Sequence, residues 1–411
     1  MKQSINHLGQ DFTVAMKAPG ANHNEGFIYF TAFIKASSGA LIAFAAIEQS
    51  ESAIAAGQKG HRGKILLSRS TDGGLTWTLL DSKINFERRI MGGQLFAHGE
   101  ALYMFVSFHT DDGSIVAMRS DDEGVTWSTP VEVIKLPSRI AASGSKSESR
   151  TTLKDDPNWA EGQRWFAYCQ NAMVVKNGRL YFAVSERTQN VALVSCDIAK
   201  GVMNPGSWFI SDPVPVTVPK ELSAGLFPGF SMGTLEANVI EINGQLRVLA
   251  RQVVDRYGTS NIATVFDVEE VGEEQSLHFR QMFPIPGAHG KFDIVYDAPS
   301  QLFWMATNLE SNSQNWVTHP TGCHAGRDRR FLTLWYALDA LNWFPAGHIA
   351  SAKRMGQTFN YPCMIVDGEN LGVLSRTTLD ADNYTSHDAD TVTFHSIPNF
   401  RALALDIRPI P

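Results

Sequence analysis

The chain has 411 residues, 35 Lys and Arg against 42 Asp and Glu, and a formal net charge of −7. Its hydrophobic content of 44% and charged content of 19% exclude wholesale disorder and allow either two or three ordinary domains or one large repeat fold. The acidic balance excludes a general nucleic-acid binder, which needs a basic face, but leaves room for an anionic small substrate held by a few arginines in one cleft. The four cysteines, Cys169, Cys196, Cys323 and Cys363, have no C-x-x-C spacing, so neither a zinc ribbon, a redox dithiol nor a disulfide framework is indicated, and no cofactor is implied. The N-terminus Met1-Lys2-Gln3-Ser4-Ile5-Asn6-His7 lacks the apolar run of a signal peptide, and no apolar stretch reaches spanning length. The expectation is a soluble, cytoplasmic chain with no membrane partner, although a secreted chain whose leader had been removed would read the same. The pattern carries no signal for oligomeric state.

In chain order, strand signals dominate. Phe27–Ile34 and Leu41–Ile47 are rich in β-branched and aromatic residues and flank the turn Ser37-Ser38-Gly39. Leu102–Phe108 passes through Asp111-Asp112-Gly113 into Ile115–Met118. Phe166–Val175 turns at Lys176-Asn177-Gly178 into Leu180–Val184, and Leu235–Ile242 turns at Asn243-Gly244 into Leu246–Ala250. Phe292–Tyr296 and Leu302–Ala306 flank Asp297-Ala298-Pro299, and Met364–Val366 turns at Asp367-Gly368 into Leu371–Leu374. No long helical period competes. The hairpins define six units, roughly 24–80, 87–134, 164–212, 233–283, 289–349 and 357–406. Four strands in 50 to 70 residues is the size of a propeller blade. The insertions at 135–163, 213–231 and 308–328 read as loops.

Two segments are near copies, fifty residues apart: Ser70-Thr71-Asp72-Gly73-Gly74-Leu75-Thr76-Trp77 and Ser120-Asp121-Asp122-Glu123-Gly124-Val125-Thr126-Trp127. Both fit Ser-x-Asp-x-Gly-x-Thr-Trp, and a repeat at this period points to an architecture of stacked sheet-sized units. The carboxylate can accept backbone N–H groups in a tight turn, the Gly permits unusual dihedrals, and the Trp can pack between blades, so the motif reads as scaffold. A calcium loop would need several more oxygen ligands. Weaker copies follow at Ser195-Cys196-Asp197 with Ser207-Trp208, at Asp339 with Trp343, at Asp267 and at Ser396–Phe400.

These motifs resemble the Asp-boxes, or BNR repeats, of the sialidase (neuraminidase) superfamily, and the resemblance extends over most of the chain. It implies an all-β fold, a six-bladed β-propeller of four-stranded antiparallel blades formed by residues 1–411 as one domain, with the active site at one end of the central axis. Seven-bladed relatives, some of them polysaccharide lyases, carry the same box and leave seven blades as the alternative.

In such a fold the active face collects residues from the starts of inner strands and from the loops after second strands. The starts contribute His23, Glu25, Arg88, Arg89, Arg164, Glu236, His289, Asn360 and Tyr361. The loops contribute Glu48, His61, Arg62, His109, Arg187, Arg251, Arg256, Arg327, Arg329, Arg376 and His387. Arginine binds carboxylates in bidentate fashion, which suits an acidic sugar. Leu235-Glu236-Ala237-Asn238, with Arg251 fifteen residues after the Glu, resembles the family's base and one substrate-carboxylate arginine. Arg329-Arg330-Phe331 resembles the segment with a further arginine. Asn360-Tyr361-Pro362-Cys363 resembles the strand bearing the nucleophilic tyrosine. A phenol is a weak nucleophile that a neighbouring carboxylate activates, and it avoids setting a carboxylate against an anionic sugar.

The departures are equally specific. The first blade opens Asn22-His23-Asn24-Glu25-Gly26-Phe27, without the family's arginine. The loop Gly57-Gln58-Lys59-Gly60-His61-Arg62-Gly63 lacks its acid/base aspartate, which leaves His61 as the titratable candidate. Ser386–His395 is similar to a bacterial BNR-containing group. These departures point away from ordinary sialic acid, toward a different acidic sugar or a different reaction. The resemblance therefore implies an exo-glycosidase acting on an acidic glycan or oligosaccharide, with Tyr361, Glu236 and His61 catalytic and with Arg251, Arg329, Arg376, His23 and His387 binding substrate. Two alternatives stay open: a polysaccharide lyase acting on a uronate, favoured by the histidines His23, His61, His109, His289 and His387, and a glycan-binding propeller without activity.

Overall fold

The structure is a computed structural model and describes residues 7–108, 114–135, 166–167, 172–186, 190–216, 233–254, 261–310 and 328–405. It is a six-bladed β-propeller of antiparallel sheets, six rather than seven. The first blade is Phe27–Lys35, Leu41–Glu48, Lys64–Ser70 and Thr78–Leu80, and the second begins at Ile90–His98. In the third the inner edge is shared by two short pieces, Phe166–Ala167 and Val174–Lys176, which both pair with Arg179–Glu186. The fourth opens with Gly233–Ile242 and the fifth with Asp293–Asp297.

The sixth unit departs from the sequence reading. Residues 357–406 supply three strands, Thr358–Asp367, Asn370–Thr378 and Thr391–Ile397, and the segment around Phe400 is a 3-10 turn. The fourth strand is Thr13–Lys17, which pairs antiparallel with Thr391–Ile397. The two ends of the chain thus close the ring within one sheet, with Thr13–Lys17 as its outermost strand.

Side chains alternate between blade interfaces, and the core is a ring of inter-blade layers. One layer joins Phe30, Phe44 and Met104; another joins Trp304, Tyr336 and Phe400. The hairpin turns have the expected chemistry. Asn177-Gly178 (φ 52° and 76°) and Asn243-Gly244 (φ 51° and 78°) occupy the left-handed region at both central positions, as a two-residue hairpin requires.

The repeated motif forms the same network twice, each in the turn between third and fourth strands. In the first, Ser70 Oγ donates to Asp72 Oδ1 (2.7 Å) and accepts from Gly74 N (2.8 Å). Asp72 accepts from Thr76 N (2.9 Å) and Thr76 Oγ1 (2.5 Å), and Trp77 Nε1 donates to Gly74 O (3.1 Å). Asp122 repeats this with Ser120 and Thr126, at 2.8, 2.8 and 2.6 Å. Trp77 lies between Phe33 of the first blade and Phe394 of the sixth, with centroids 6.4 and 5.5 Å away. The motif is a blade-to-blade clasp.

Among the described residues no helix is long and apolar enough to cross a membrane. A cavity of about 1150 Å³ follows the axis from the middle of the inner strands to their C-terminal ends, lined by residues such as Leu95, Ile240, Val295 and Ile365. It stops short of Glu236 and Tyr361, which lie toward the other end.

Candidate functional site

Four inner strands carry a one-residue bulge at the same level, between Ile28 and Phe30, Ile90 and Gly92, Leu235 and Asn238, and Asn360 and Cys363. A bulge breaks the alternation of the strand and re-aims one side chain. In two of the four, the extra residue is forced into the left-handed region although it is not glycine: Glu236 and Tyr361, each at φ 54°. That conformation costs about 1–2 kcal/mol per residue and persists only where the surroundings over-determine it. The two strained residues meet across the axis, Tyr361 Oη donating to Glu236 Oε1 at 2.5 Å.

The arginines follow the same geometry. Arg251 pairs in register with Leu235, and Arg376 with Asn360, so each stands on the second strand of its blade beside the bulge. Arg251 Nη1 donates to Glu236 Oε2 at 2.9 Å. The Arg376 guanidinium carbon lies 3.9 Å from the Tyr361 ring centroid, and that of Arg329 lies 5.3 Å from it. Arg376 is held by Asn360 Oδ1 (2.7 Å to Nε) and by the Tyr29 carbonyl, while its buried Nη2 has no hydrogen-bond partner among the described residues. Arg329 reaches the site from the segment before Phe331–Ala337. Its carbonyl accepts from Phe359 N (3.0 Å), and Asn308 Nδ2 binds the Phe359 carbonyl at 2.6 Å, stitching the fifth blade to the sixth.

Burial alone would raise the Glu236 carboxyl, but Arg251, the Tyr361 hydrogen bond and Arg329 outweigh it and hold it below its ordinary value. Burial and then the Glu236 charge push the Tyr361 phenol up to about 12, against the pull of Arg376, Arg329 and Arg251. At neutral pH the pair is a carboxylate accepting from a neutral phenol in a field of net positive charge. Such a pair can pass a proton from Tyr361 to Glu236 as the phenolic oxygen attacks an electrophile.

His387 and His23 belong to the same neighbourhood. The His387 ring stands edge-on to Tyr361, centroids 6.4 Å apart, and 5.8 Å from Tyr29. Its Nδ1 is 2.8 Å from Asp388 Oδ1. His23 lies near enough to Asp388 to act on its charge, and its Nδ1 is 3.2 Å from the Asn383 carbonyl. His61 does not join the cluster among the described residues. Its N–H donates to Glu25 O at 2.7 Å, its ring lies against Gly26, and it lines a separate cavity of about 280 Å³ with Arg62, Lys64, Asn85 and Glu87.

Other shortlisted residues have packing roles. Arg88 stacks on Phe108 at 3.6 Å, and Arg89 pairs with Glu51. Glu25 caps its own loop through Ala21 N at 3.0 Å. Glu48 is buried and accepts from Ile90 N at 2.7 Å, linking the first blade to the second. His289 is buried, with Nδ1 3.1 Å from Asn261 Oδ1, and burial, Arg329 and Arg251 push it down to about 3. His109, Arg164, Arg187, Arg256 and Arg327, with Cys169 and Cys323, lie outside the described residues. No group of three or more His, Cys, Asp or Glu among the described residues is placed to hold a metal ion.

The sequence reading missed Lys291. It is 2% exposed, and its ammonium donates to the Pro362 carbonyl at 2.6 Å, directly behind the Tyr361 bulge. Nearby, Asp293 Oδ2 accepts from Met364 N at 2.8 Å. The only cue was a lysine between Gly290 and Phe292 at the start of a buried strand.

No protein-family model matches the chain, and no curated protein matches it. Solved structures do. A protein of unknown function from Dyadobacter fermentans shares 13% identity at a TM-score of 0.55, covering 94% of this chain and 99% of that one. A Trypanosoma rangeli sialidase in complex with sialic acid shares 14% at 0.57, over 97% of this chain but 59% of the enzyme. An α-L-arabinanase from Penicillium chrysogenum complexed with arabinobiose shares 12% at 0.55, over 94% and 98%. At these identities the likeness establishes the propeller fold.

Proposed function

We propose that the chain is a retaining exo-glycosidase that releases a terminal acidic sugar from a glycan or oligosaccharide. The observation that carries this reading is the 2.5 Å contact between Tyr361 and Glu236, two strained residues drawn together beneath three arginines. Tyr361 is the nucleophile and Glu236 its base. Arg251, Arg329 and Arg376 bind the substrate carboxylate, for which Nη2 of Arg376, without a hydrogen-bond partner among the described residues, offers a donor, and His23 and His387 contact the sugar. His61 and His387 are the two candidates for the proton donor to the leaving oxygen. That two of the structural neighbours were solved with a sugar bound, sialic acid in one and arabinobiose in the other, supports a carbohydrate as substrate. The test is a panel of glycosides of keto-acid and uronic-acid sugars, with the product anomer followed by NMR. First-formed product of retained configuration, lost in Tyr361→Phe, is expected. Inversion, or full activity in Tyr361→Phe, refutes the mechanism.

One observation favours a second reading, a lyase acting on a uronate. Burial and Arg376 hold His387 down to about 4, so the resting imidazole is a free base beside an arginine-bound carboxylate site. Such a base could remove the proton next to a carboxylate. An unsaturated product absorbing in the near ultraviolet would establish this reaction, and release of reducing sugar without it would exclude it.

A further inference from the structure

The loop between Asn370–Thr378 and Thr391–Ile397 brings a histidine–carboxylate pair beside the Tyr361 ring. Tyr361, Glu236 and Arg376 are at most 4% exposed, whereas the His387 side chain is 29% exposed, so it is the cluster's opening to solvent. Asp388 is an ionised carboxylate, held below its ordinary value despite burial by its bond to His387, and an ionised carboxylate can only accept. His387 Nδ1 must therefore carry the hydrogen in that 2.8 Å contact, which leaves Nε2 as the ring nitrogen not engaged by Asp388. Nε2 has no hydrogen-bond partner among the described residues and is not sealed from solvent. The His387 ring stands edge-on to that of Tyr361, centroids 6.4 Å apart, so the two side chains are immediate neighbours.

We propose that His387, oriented by Asp388, is the acid/base residue of this site, an assignment that rests on the glycosidase reading above. In the first step the Tyr361 oxygen bonds to the anomeric carbon as the glycosidic bond breaks. The phenolic proton passes to Glu236, and the proton on His387 Nε2 passes to the departing oxygen. In the second step neutral His387 takes a proton from water as the water oxygen bonds to the anomeric carbon. The bond to Tyr361 breaks, and its oxygen recovers the proton from Glu236. Tyr361, Glu236 and His387 all end as they began.

The groups that face His387 explain how it is charged for the first step. Arg376 comes from the second strand of the sixth blade, Arg329 from the fifth blade, Tyr361 from the inner strand and Tyr29 from the first blade, with Asp388 behind and His23 beyond it. In the empty site burial and the two arginines keep the imidazole neutral. A substrate carboxylate on those arginines cancels their repulsion, while Asp388 continues to favour the imidazolium. Burial, the largest cause, is not relieved in this way, so the effect is relative: an anionic substrate favours the proton on His387 more than a neutral sugar does.

The experiment compares His387→Ala, His387→Gln and His61→Ala on two glycosides of the acidic sugar that the wild type cleaves, one with a dinitrophenyl leaving group and one with methyl. Circular dichroism and Tm establish that each variant is folded, and His387→Gln keeps the bulk of the ring. Loss of an acid catalyst should lower kcat/KM for the methyl glycoside by about 10²–10⁴-fold. The dinitrophenyl glycoside, whose leaving group needs no proton, should be far less affected. Azide should restore its turnover and give a glycosyl azide of retained configuration. Equal losses for both leaving groups with no azide product, or a leaving-group-dependent loss in His61→Ala instead, overturn the assignment while leaving the glycosidase reading intact. A wild type that releases no sugar from any acidic glycoside refutes the reading and the assignment with it.

Discussion

Replacing Glu236 with glutamine removes one charge from the Tyr361 contact and keeps its shape. A unit charge 2.5 Å from the phenolic oxygen, at an effective dielectric constant of about 20, contributes roughly 7 kcal/mol to the free energy of ionising Tyr361. Even a fifth of that is about one pKa unit. With the carboxylate gone, Arg376, Arg329 and Arg251 act on the phenol with only burial against them, so its transition should fall below about 12 by a unit or more. Spectrophotometric titration in the near ultraviolet reads phenolate directly, and the same titration on Tyr361→Phe removes the other tyrosines from the signal. If Glu236 is the base, kcat for an acidic glycoside falls by about 10²–10⁴-fold in the same variant. The buried arginines also lose their counter-charge, at a cost of about 3 kcal/mol, which a denaturant midpoint would show. Because the folded protein holds this carboxyl below its ordinary value of 4.5, its stabilisation is complete above that pH and is lost as pH falls through the folded value. The stability gap between wild type and Glu236→Gln should therefore close in acid. A Tyr361 transition that stays in place or rises would refute the electrostatic account. A transition that moves while kcat changes less than about tenfold would leave the pair as structure and not as catalyst.

Three further outcomes follow from the packing. Lys291→Met leaves the Pro362 carbonyl and the nearby Asp293 without their cation, so stability should fall by about 2–4 kcal/mol in a chemical melt, with kcat reduced more than KM because the Tyr361 bulge loses its anchor. Burial pushes Glu48 from 4.5 up to about 7, so the folded protein keeps a proton there that the unfolded chain has released, and stability from this group falls as pH rises across that interval. Glu48→Gln should gain up to roughly 3 kcal/mol above the upper limit and nothing below the lower one, and thermal melts across pH check this. In Gly74→Ala the new methyl would meet the Phe394 ring at 2.1 Å from a residue at φ +91°, so Tm should fall by the equivalent of about 2–3 kcal/mol with turnover unchanged, measured by calorimetry and a glycoside assay.

Much of the fold is legible along the chain because its determinants are local. The hairpin turns Asn177-Gly178 and Asn243-Gly244 are stated by two residues each, and the motif around Asp72 and Asp122 closes through side chains no more than four residues apart. Six strand–turn–strand units suffice to count the blades. The same locality exposed Glu236 with Arg251, fifteen positions apart across one hairpin, and placed Tyr361 at the start of an inner strand.

What depends on closure of the ring was not legible. Thr13–Lys17 completes a sheet whose other strands begin more than three hundred residues later, and nothing in its own sequence names that partner. The resemblance implies the pairing of Tyr361 with Glu236, but the geometry of their meeting, 125 residues apart, requires two blades to converge on the axis and a bulge in each strand at these residues. Lys291 behind Pro362, and His387 with Asp388 beside the Tyr361 ring, acquire their significance from burial and direction, which residue type does not encode. His61 stands out for its position in a loop, and in the fold its backbone N–H binds Glu25 O while its ring lies against Gly26. The sequence by itself determined the repeated unit, since turns and alternation act over a few residues. Only the tertiary structure decided which chemistry-bearing side chains share a site, because that is set by how six twisted sheets pack around one axis.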